Sequence, residues 1–218
     1  MSAPQNEPLS PPEQLKRGQE TAVPAIVLRV RPFRESDLIA HLFTPFLGKV
    51  SVIARHARGS RKRFPSSLDL FDRGTARLTL EKSGALGVKE FSPSHSLTKI
   101  RYDLDKLTLA SLLCEAFDIV LPEDGGLSTP RLFEVLDLSL NAIDEAPNVR
   151  SGLRAAFIAL ASLTKESGIA DVSAASPGSR ALLSTIDAIE KFCERRLATK
   201  SSLRDTLKKA ASEASAQD

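Results

Sequence analysis

The segment ARHARGSRKRF, residues 54–64, concentrates positive charge without one acidic side chain. Its basic residues are Arg55, Arg58, Arg61, Lys62 and Arg63. Most are arginines, whose planar guanidinium groups form paired hydrogen bonds with phosphate oxygens and stack on bases. Gly59 and Ser60 let the backbone approach a ligand closely. A charge run is most often a solvated loop, but this composition favours phosphate binding.

The charge of the chain is unevenly distributed. All 218 residues together carry 30 basic and 27 acidic side chains, a net charge of +3. Residues 24–92 carry 13 basic and 6 acidic side chains, hence +7, whereas residues 93–218 carry 15 and 18, hence −3. This asymmetry indicates a polyanionic partner for the front of the chain and another role for the back.

No catalytic signature is found in the sequence. It lacks the motifs GxxxxGK(S/T), GxGxxG, HExxH and GxSxG. The histidines, His41, His56 and His95, have no companion at a metal-ligand spacing, and His41 is interpreted as structural. Asp69 and Asp72 are interpreted as a turn. We expect a protein that is not an enzyme and needs no metal or cofactor.

Cys114 and Cys193 stand alone in apolar helical stretches, which predicts buried, reduced thiols. No apolar run is long enough to span a membrane, and the N-terminus lacks the hydrophobic centre of a signal peptide. We expect a cytoplasmic protein.

The spacing of apolar residues predicts an α+β protein. Residues 1–22 are predicted to be a flexible leader. Residues 23–97 contain five short strand patterns, AIVLRV, DLIAHLF, KVSVIAR, GTARLTLE and GVKEF, typical of a five-stranded OB-fold barrel. Residues 98–210 have helical periodicity and predict an all-helical domain, followed by a flexible tail at 211–218.

Within the helical part, the periodicity predicts one long helix over 100–121, a second from Pro130, a third over 149–167 and a fourth over 180–200. The segment SSLRDTLKKA predicts only a short last turn.

The predicted barrel brings further basic residues towards the charged loop. Arg29, Arg31, Arg34 and Lys49 lie on neighbouring strands and turns. A charged groove of this kind binds single-stranded nucleic acid when aromatic rings are available for base stacking. Among Phe33, Phe46 and Phe64, we select Phe64 as the best stacking candidate. The predicted DNA-binding residues are Arg31, Arg34, Lys49, Arg55, Arg58, Arg61, Lys62 and Arg63.

The order of these pieces resembles the N-terminal domain of the RecO recombination-mediator and DNA-repair proteins. The matching pieces are the strand AIVLRV, the ESDLI turn and strand, the GK before the third strand and the basic loop ARGSRKRF. The segments YDLDKLTLASLLCEAFDIVLPE and RLFEVLDLSLNAI resemble the family's first helices. The resemblance covers roughly residues 24–145.

The resemblance implies an OB-fold and a helical domain that bind single- and double-stranded DNA and anneal complementary strands without catalysis. The implied partners are RecR, the acidic C-terminal tail of the single-strand DNA-binding protein and, indirectly, RecA. Arg195, Arg196 and Lys200 could meet that tail, although a solvated helix end is the simpler interpretation. Many members carry a four-cysteine zinc ribbon; GIADVSAASPGS has no cysteine, so the chain resembles the zinc-free members.

Two other functions stay open at this point. A protein-interaction adaptor would use the basic loop to meet an acidic partner and would bind bare oligonucleotides weakly. An RNA-binding OB-fold protein would prefer ribose, which requires groups placed for the 2′-hydroxyl.

Overall fold

A computed structural model of the chain describes residues 19–60, 62–64, 68–94, 96–123, 130–172 and 175–215, with side chains to residue 212. Residues 1–18 of the predicted leader, Arg61, His95 and the end of the predicted tail lie outside the described residues. The strands are β1 (Glu20–Pro32), β2 (Leu38–Thr44), β3 (Gly48–Ala54), β4 (Arg73–Leu80) and β5 (Leu86–Pro93).

These strands form a closed barrel in the order β1-β2-β3-β5-β4. Neighbouring strands are antiparallel except for β3 and β5, which are parallel. The predicted OB-fold barrel followed by helices is confirmed.

The first strand closes the barrel because it pairs with two neighbours. Its first half pairs with β4, from Glu20 opposite Thr79, and its second half pairs with β2. The register shifts between Val27 and Arg29, and a bulge of this kind bends a strand. The strand begins at Glu20, inside the predicted 1–22 leader, because pairing with β4 satisfies the backbone groups of these residues.

Six helices follow: α1 (Thr98–Tyr102), α2 (Leu104–Val120), α3 (Pro130–Glu145), α4 (Val149–Glu166), α5 (Ser179–Cys193) and α6 (Lys200–Ser215). The single helix predicted over 100–121 is therefore wrong. Asp103 adopts an extended conformation, and its side chain accepts hydrogen bonds from the amides of Asp105 and Lys106, which starts a new helix.

The end of the chain also differs from prediction. Helix α5 ends at Cys193 because Glu194 adopts a left-handed conformation with φ 51°. The predicted last turn is the full helix α6, which continues to residue 215, inside the predicted tail. Its apolar contacts come from the buried Leu203 and Ala210 and the half-buried Leu207.

The barrel and the helices share a hydrophobic core. The barrel interior holds one set of alternate strand residues, such as Val27, Ala40 and Leu42, while Leu28 and Phe43 point outwards and pack with the helices. The helices therefore fold directly onto the outer surface of the barrel. None of the helices in the described segments is both long and apolar enough to cross a bilayer.

In the folded protein, the Cys114 thiol is expected not to react with a thiol-specific reagent such as an aromatic disulfide. It is buried, as predicted, and burial raises the pKa of its thiol to about 12. Cys193 is only half-buried, and burial raises its pKa less, so slow reaction is expected. Titrating the thiols of folded and of denatured protein with this reagent checks both expectations. Rapid modification of Cys114 in the folded state would contradict the first.

Candidate nucleic-acid interface

Three loops meet at one end of the barrel. They are the β1–β2 turn (residues 33–37), the basic loop (residues 55–64) and the β4–β5 hairpin (residues 81–85). The amide of Arg58 donates to the carbonyl of Ser36 at 3.2 Å, and the amide of His56 donates to the buried Asp37 carboxylate at 2.9 Å. The basic loop is therefore fixed against the β1–β2 turn.

Arg55 links the basic loop to the β4–β5 hairpin. Its guanidinium donates to both carboxylate oxygens of Glu81, at 2.8 and 2.5 Å, and lies 3.9 Å from Asp37. The hydrogen bond from Arg55 lowers the pKa of Glu81, although burial opposes the shift, and the same bond raises the pKa of Arg55. The charge of Arg55 is thus balanced within the protein, and this arginine positions the loop.

Phe64 is a core residue, so its selection as the stacking candidate is wrong. Only 1% of it is exposed, and it packs with the interior residues of the barrel. Arg63 covers its ring at 5.7 Å and donates to the hydroxyl of Ser60 and the carbonyl of Arg55. Phe64 therefore closes the end of the barrel beneath the basic loop.

The remaining cations face solvent. The Arg58 side chain donates a long hydrogen bond, 3.4 Å, to the main-chain carbonyl of Glu35. The guanidinium of Arg34 lies 5.1 Å from the ring centre of Phe33, which is 39% exposed. Among the described residues of this surface, the exposed cations without an ion pair are Arg31 at the end of β1, Arg34 in the turn, and Arg58 and Lys62 in the basic loop.

Lys49 lies away from this surface, so its predicted role as a phosphate contact is wrong. It is 5% exposed at the junction of the barrel and α2, and its ammonium donates to the main-chain carbonyl of Asp118. The same ammonium lies 3.8 Å from the Asp118 carboxylate. Burial beneath the end of α2 removes it from solvent.

Asp118 forms the centre of a buried ion network that sequence reasoning missed. His41 Nδ1 lies 2.5 Å from its Oδ1, and Arg29 Nη1 lies 3.7 Å from its Oδ2. Burial raises the pKa of Asp118, but the hydrogen bond from His41 and the charges of His41, Lys49 and Arg29 outweigh it, and the pKa is lowered. The sequence contains one signal for this network, which is the carboxylate of Asp118 inside the apolar helical segment AFDIVL.

The residues considered for an acidic peptide differ in their surroundings. The Lys200 ammonium forms ion pairs with the carboxylates of Asp187 and Glu190, at 2.6 and 2.7 Å. Hydrogen bonds to these carboxylates raise the pKa of Lys200. Arg195 and Arg196 are exposed. Arg195 borders a cavity of about 410 Å³ between β1 and α2, whose lining also includes Arg29, Glu115 and Asp118.

Asp69 and Asp72 form the predicted turn. The amide of Asp69 donates to the carboxylate of Asp72 at 2.8 Å, and both carboxylates accept hydrogen bonds from Arg101. His41 and His56 are likewise held by protein groups, Asp118 and Ser36. Among the residues that the structure describes, no group of three or more His, Cys, Asp and Glu residues is placed to hold a metal ion.

Comparison with known proteins identifies the barrel. Residues 19–93 match the family "Recombination protein O N terminal". The chain is 34% identical to DNA repair protein RecO of Pelobacter propionicus over 123 residues, which cover 56% of this chain and 49% of the relative. The corresponding protein of Geobacter metallireducens is 34% identical over 139 residues, covering 62% and 54% of the two chains.

A third relative is DNA repair protein RecO of Symbiobacterium thermophilum, 35% identical over 118 residues that cover 54% of this chain and 46% of the relative. The chain spans about half the length of the curated relatives that it matches. The predicted resemblance is confirmed: the barrel matches the model of the N-terminal domain of the RecO family, and the chain is similar to DNA repair proteins RecO.

Proposed function

We propose that this protein binds DNA in repair and recombination, using the exposed cations of the basic loop and the β1–β2 turn, without catalysing a reaction. The observation that carries the proposal is that Arg31, Arg34, Arg58 and Lys62 are exposed at one end of a RecO-type barrel and form no ion pair with any residue that the structure describes. The name of the matched relatives, DNA repair protein RecO, supports the biological setting.

The binding is electrostatic. Cations that neutralise phosphates release counterions, so affinity falls steeply with salt and depends little on sequence. Because phosphates occur on single and double strands, one surface serves both. Arg55 and Arg63 contribute indirectly, since their hydrogen bonds to Glu81, Ser60 and main-chain carbonyls hold the loop in shape.

The same surface supports strand annealing. Two complementary strands repel each other, and binding both to one cationic surface reduces this repulsion. We further propose that the protein works with RecR and with the acidic tail of the single-strand DNA-binding protein, and so helps to load RecA. The exposed Arg195 and Arg196 give the helical part positive charge for an acidic peptide.

The test is fluorescence anisotropy of a labelled single-stranded DNA across a salt series. The variant Arg34→Gln/Arg58→Gln/Lys62→Gln removes three phosphate contacts. Its plot of log affinity against log salt is expected to be flatter than that of the wild type by about 2 units, because each contact contributes about 0.7. Affinity at low salt is expected to fall as well.

The matched control is Arg180→Gln/Lys191→Gln/Arg204→Gln, which removes the same charge from exposed positions on α5 and α6. It should retain the wild-type slope. Equal flattening in both variants would show that net charge alone matters and would contradict the assigned surface. Weak binding by the wild type would favour the adaptor function, and a clear preference for RNA would favour an RNA-binding role.

A further inference from the structure

The outer surface of the β1-β2-β3 sheet is only partly covered by the helices. Along β2, Phe43 packs against α2 and α3, and His41 contacts Asp118. Ile39, the next outward residue on β2, pairs with Arg31 on β1 and Ile53 on β3. A row of outward side chains therefore continues from the helices towards the basic loop.

The apolar members of this row are Ile39, of which only 9% is exposed, and Ile53. Ile39 and Ile53 belong neither to the barrel interior nor to the core shared with the helices, among the residues that the structure describes. Ile53 is half-buried and Ser51 beside it is exposed. The row is thus closed at Ile39 and partly open at Ile53, and the exposed Arg31 is paired with Ile39 on the neighbouring strand.

Phe33 lies at the end of the same row. It follows Arg31 by two residues, and strand alternation puts both on one side. The amide of Phe33 donates to the carbonyl of Asp37 at 3.0 Å, which extends the β1–β2 pairing into the turn and fixes the backbone. Its exposed ring has Arg34 at 5.1 Å. An exposed aromatic side chain on a fixed turn between two arginines has the features of a base-stacking position.

We propose that this outer strip, defined as Arg31, Phe33, Ile39 and Ile53, binds the bases of a single strand, with Phe33 stacking on one base and Arg31 and Arg34 contacting the flanking phosphates. The inference rests on the proposed DNA binding and specifies its preferred substrate as unpaired DNA. Duplex DNA keeps its bases stacked inside the double helix, so its phosphates contact only the cations of this surface.

The variant Phe33→Ala is expected to weaken binding of a single-stranded oligonucleotide about tenfold, without changing the salt slope, because a stacking contact involves no counterion. Binding of a blunt duplex should stay within about twofold of the wild type. Phe33→Trp retains an aromatic face and should retain single-strand affinity. The matched control is Phe192→Ala, which removes another exposed ring, 59% exposed, from α5.

The results separate this inference from the broader function. Wild-type protein that binds no DNA would overturn both. If Phe33→Ala binds single strands normally while the Arg34/Arg58/Lys62 variant loses affinity, the broader function holds and the stacking role is wrong. An equal loss for single strands and duplex would also overturn the stacking role. Selective loss for single strands, with rescue by tryptophan, is the expected result.

Discussion

Replacing Asp118 with asparagine is expected to lower the free energy of unfolding by about 3–5 kcal/mol, the usual cost of removing one partner from a buried ion pair. Asp118 is 7% exposed and balances Lys49 and His41, which are also largely buried. Without the carboxylate, the Lys49 ammonium keeps its bond to the main-chain carbonyl but loses its counter-charge. Chemical denaturation monitored by circular dichroism measures the change.

The control for this substitution is Asp205→Asn. Asp205 pairs with Lys208 on the surface of α6, with 90% of its side chain exposed, and surface changes of this kind stay within about 0.5 kcal/mol. A loss of less than 1 kcal/mol in Asp118→Asn would contradict the importance of the buried network.

The difference in the free energy of unfolding between the wild type and Asp118→Asn should depend on pH. The network lowers the pKa of Asp118 in the folded protein. Its contribution is therefore fully present above the unfolded-state pKa of about 3.9 and is lost as pH falls through the lower folded-state value. The two proteins should approach each other in stability only below about pH 4.

The sequence predicts the barrel better than it predicts the partners of charged residues. Alternation in segments such as TARLTL reports directly which residues face the barrel interior. The bond between Arg55 and Glu81 and the burial of Lys49 beside Asp118 depend on residues far away in sequence. Local pattern cannot distinguish these cations from the exposed Arg58, so the sequence predicts a basic segment but not which of its side chains face solvent.

The misassigned aromatic residue has the same cause. Phe64 and Phe33 both lie beside arginines, so their local sequences look alike. Their exposure differs because Phe64 turns into the end of the barrel, whereas Phe33 occupies a tight turn on its outside. Only the closure of the barrel decides between them.

The helix boundaries show how local chemistry competes with apolar periodicity. The helical spacing continues through Asp103, yet the side chain of this residue satisfies free amides at a new helix start, which breaks the segment. Helix α6 was underestimated for the opposite reason: its sequence is polar, and a few contacts supplied by the rest of the fold stabilise it.

Phe43→Ala is expected to destabilise the protein by about 3–5 kcal/mol, as is typical for removal of a buried aromatic ring from a core. Phe43 is 0% exposed, and its ring centre lies 5.9 Å from that of Phe117 on α2 and 5.7 Å from that of Phe133 on α3. Truncation leaves a cavity between the barrel and both helices. Denaturant unfolding measures the loss, with the exposed Phe192→Ala as the control, expected to change stability by no more than about 0.5 kcal/mol.

Hydrogen exchange in the same variant tests whether the barrel and the helices form one cooperative unit. Because Phe43 belongs to the core that contains residues of β1, α2, α3 and α4, its truncation should lower the protection of the slowest amides in β2 and in α4 by the same free energy. Loss of protection confined to the barrel would mean that the helices are stable by themselves, and the shared core would then not couple the two parts. Equal loss of protection in β2 and α4 would mean that the whole described fold supports the proposed DNA-binding surface. The reason is that β2, which carries His41 and Phe43, also carries Ile39 of the outer strip.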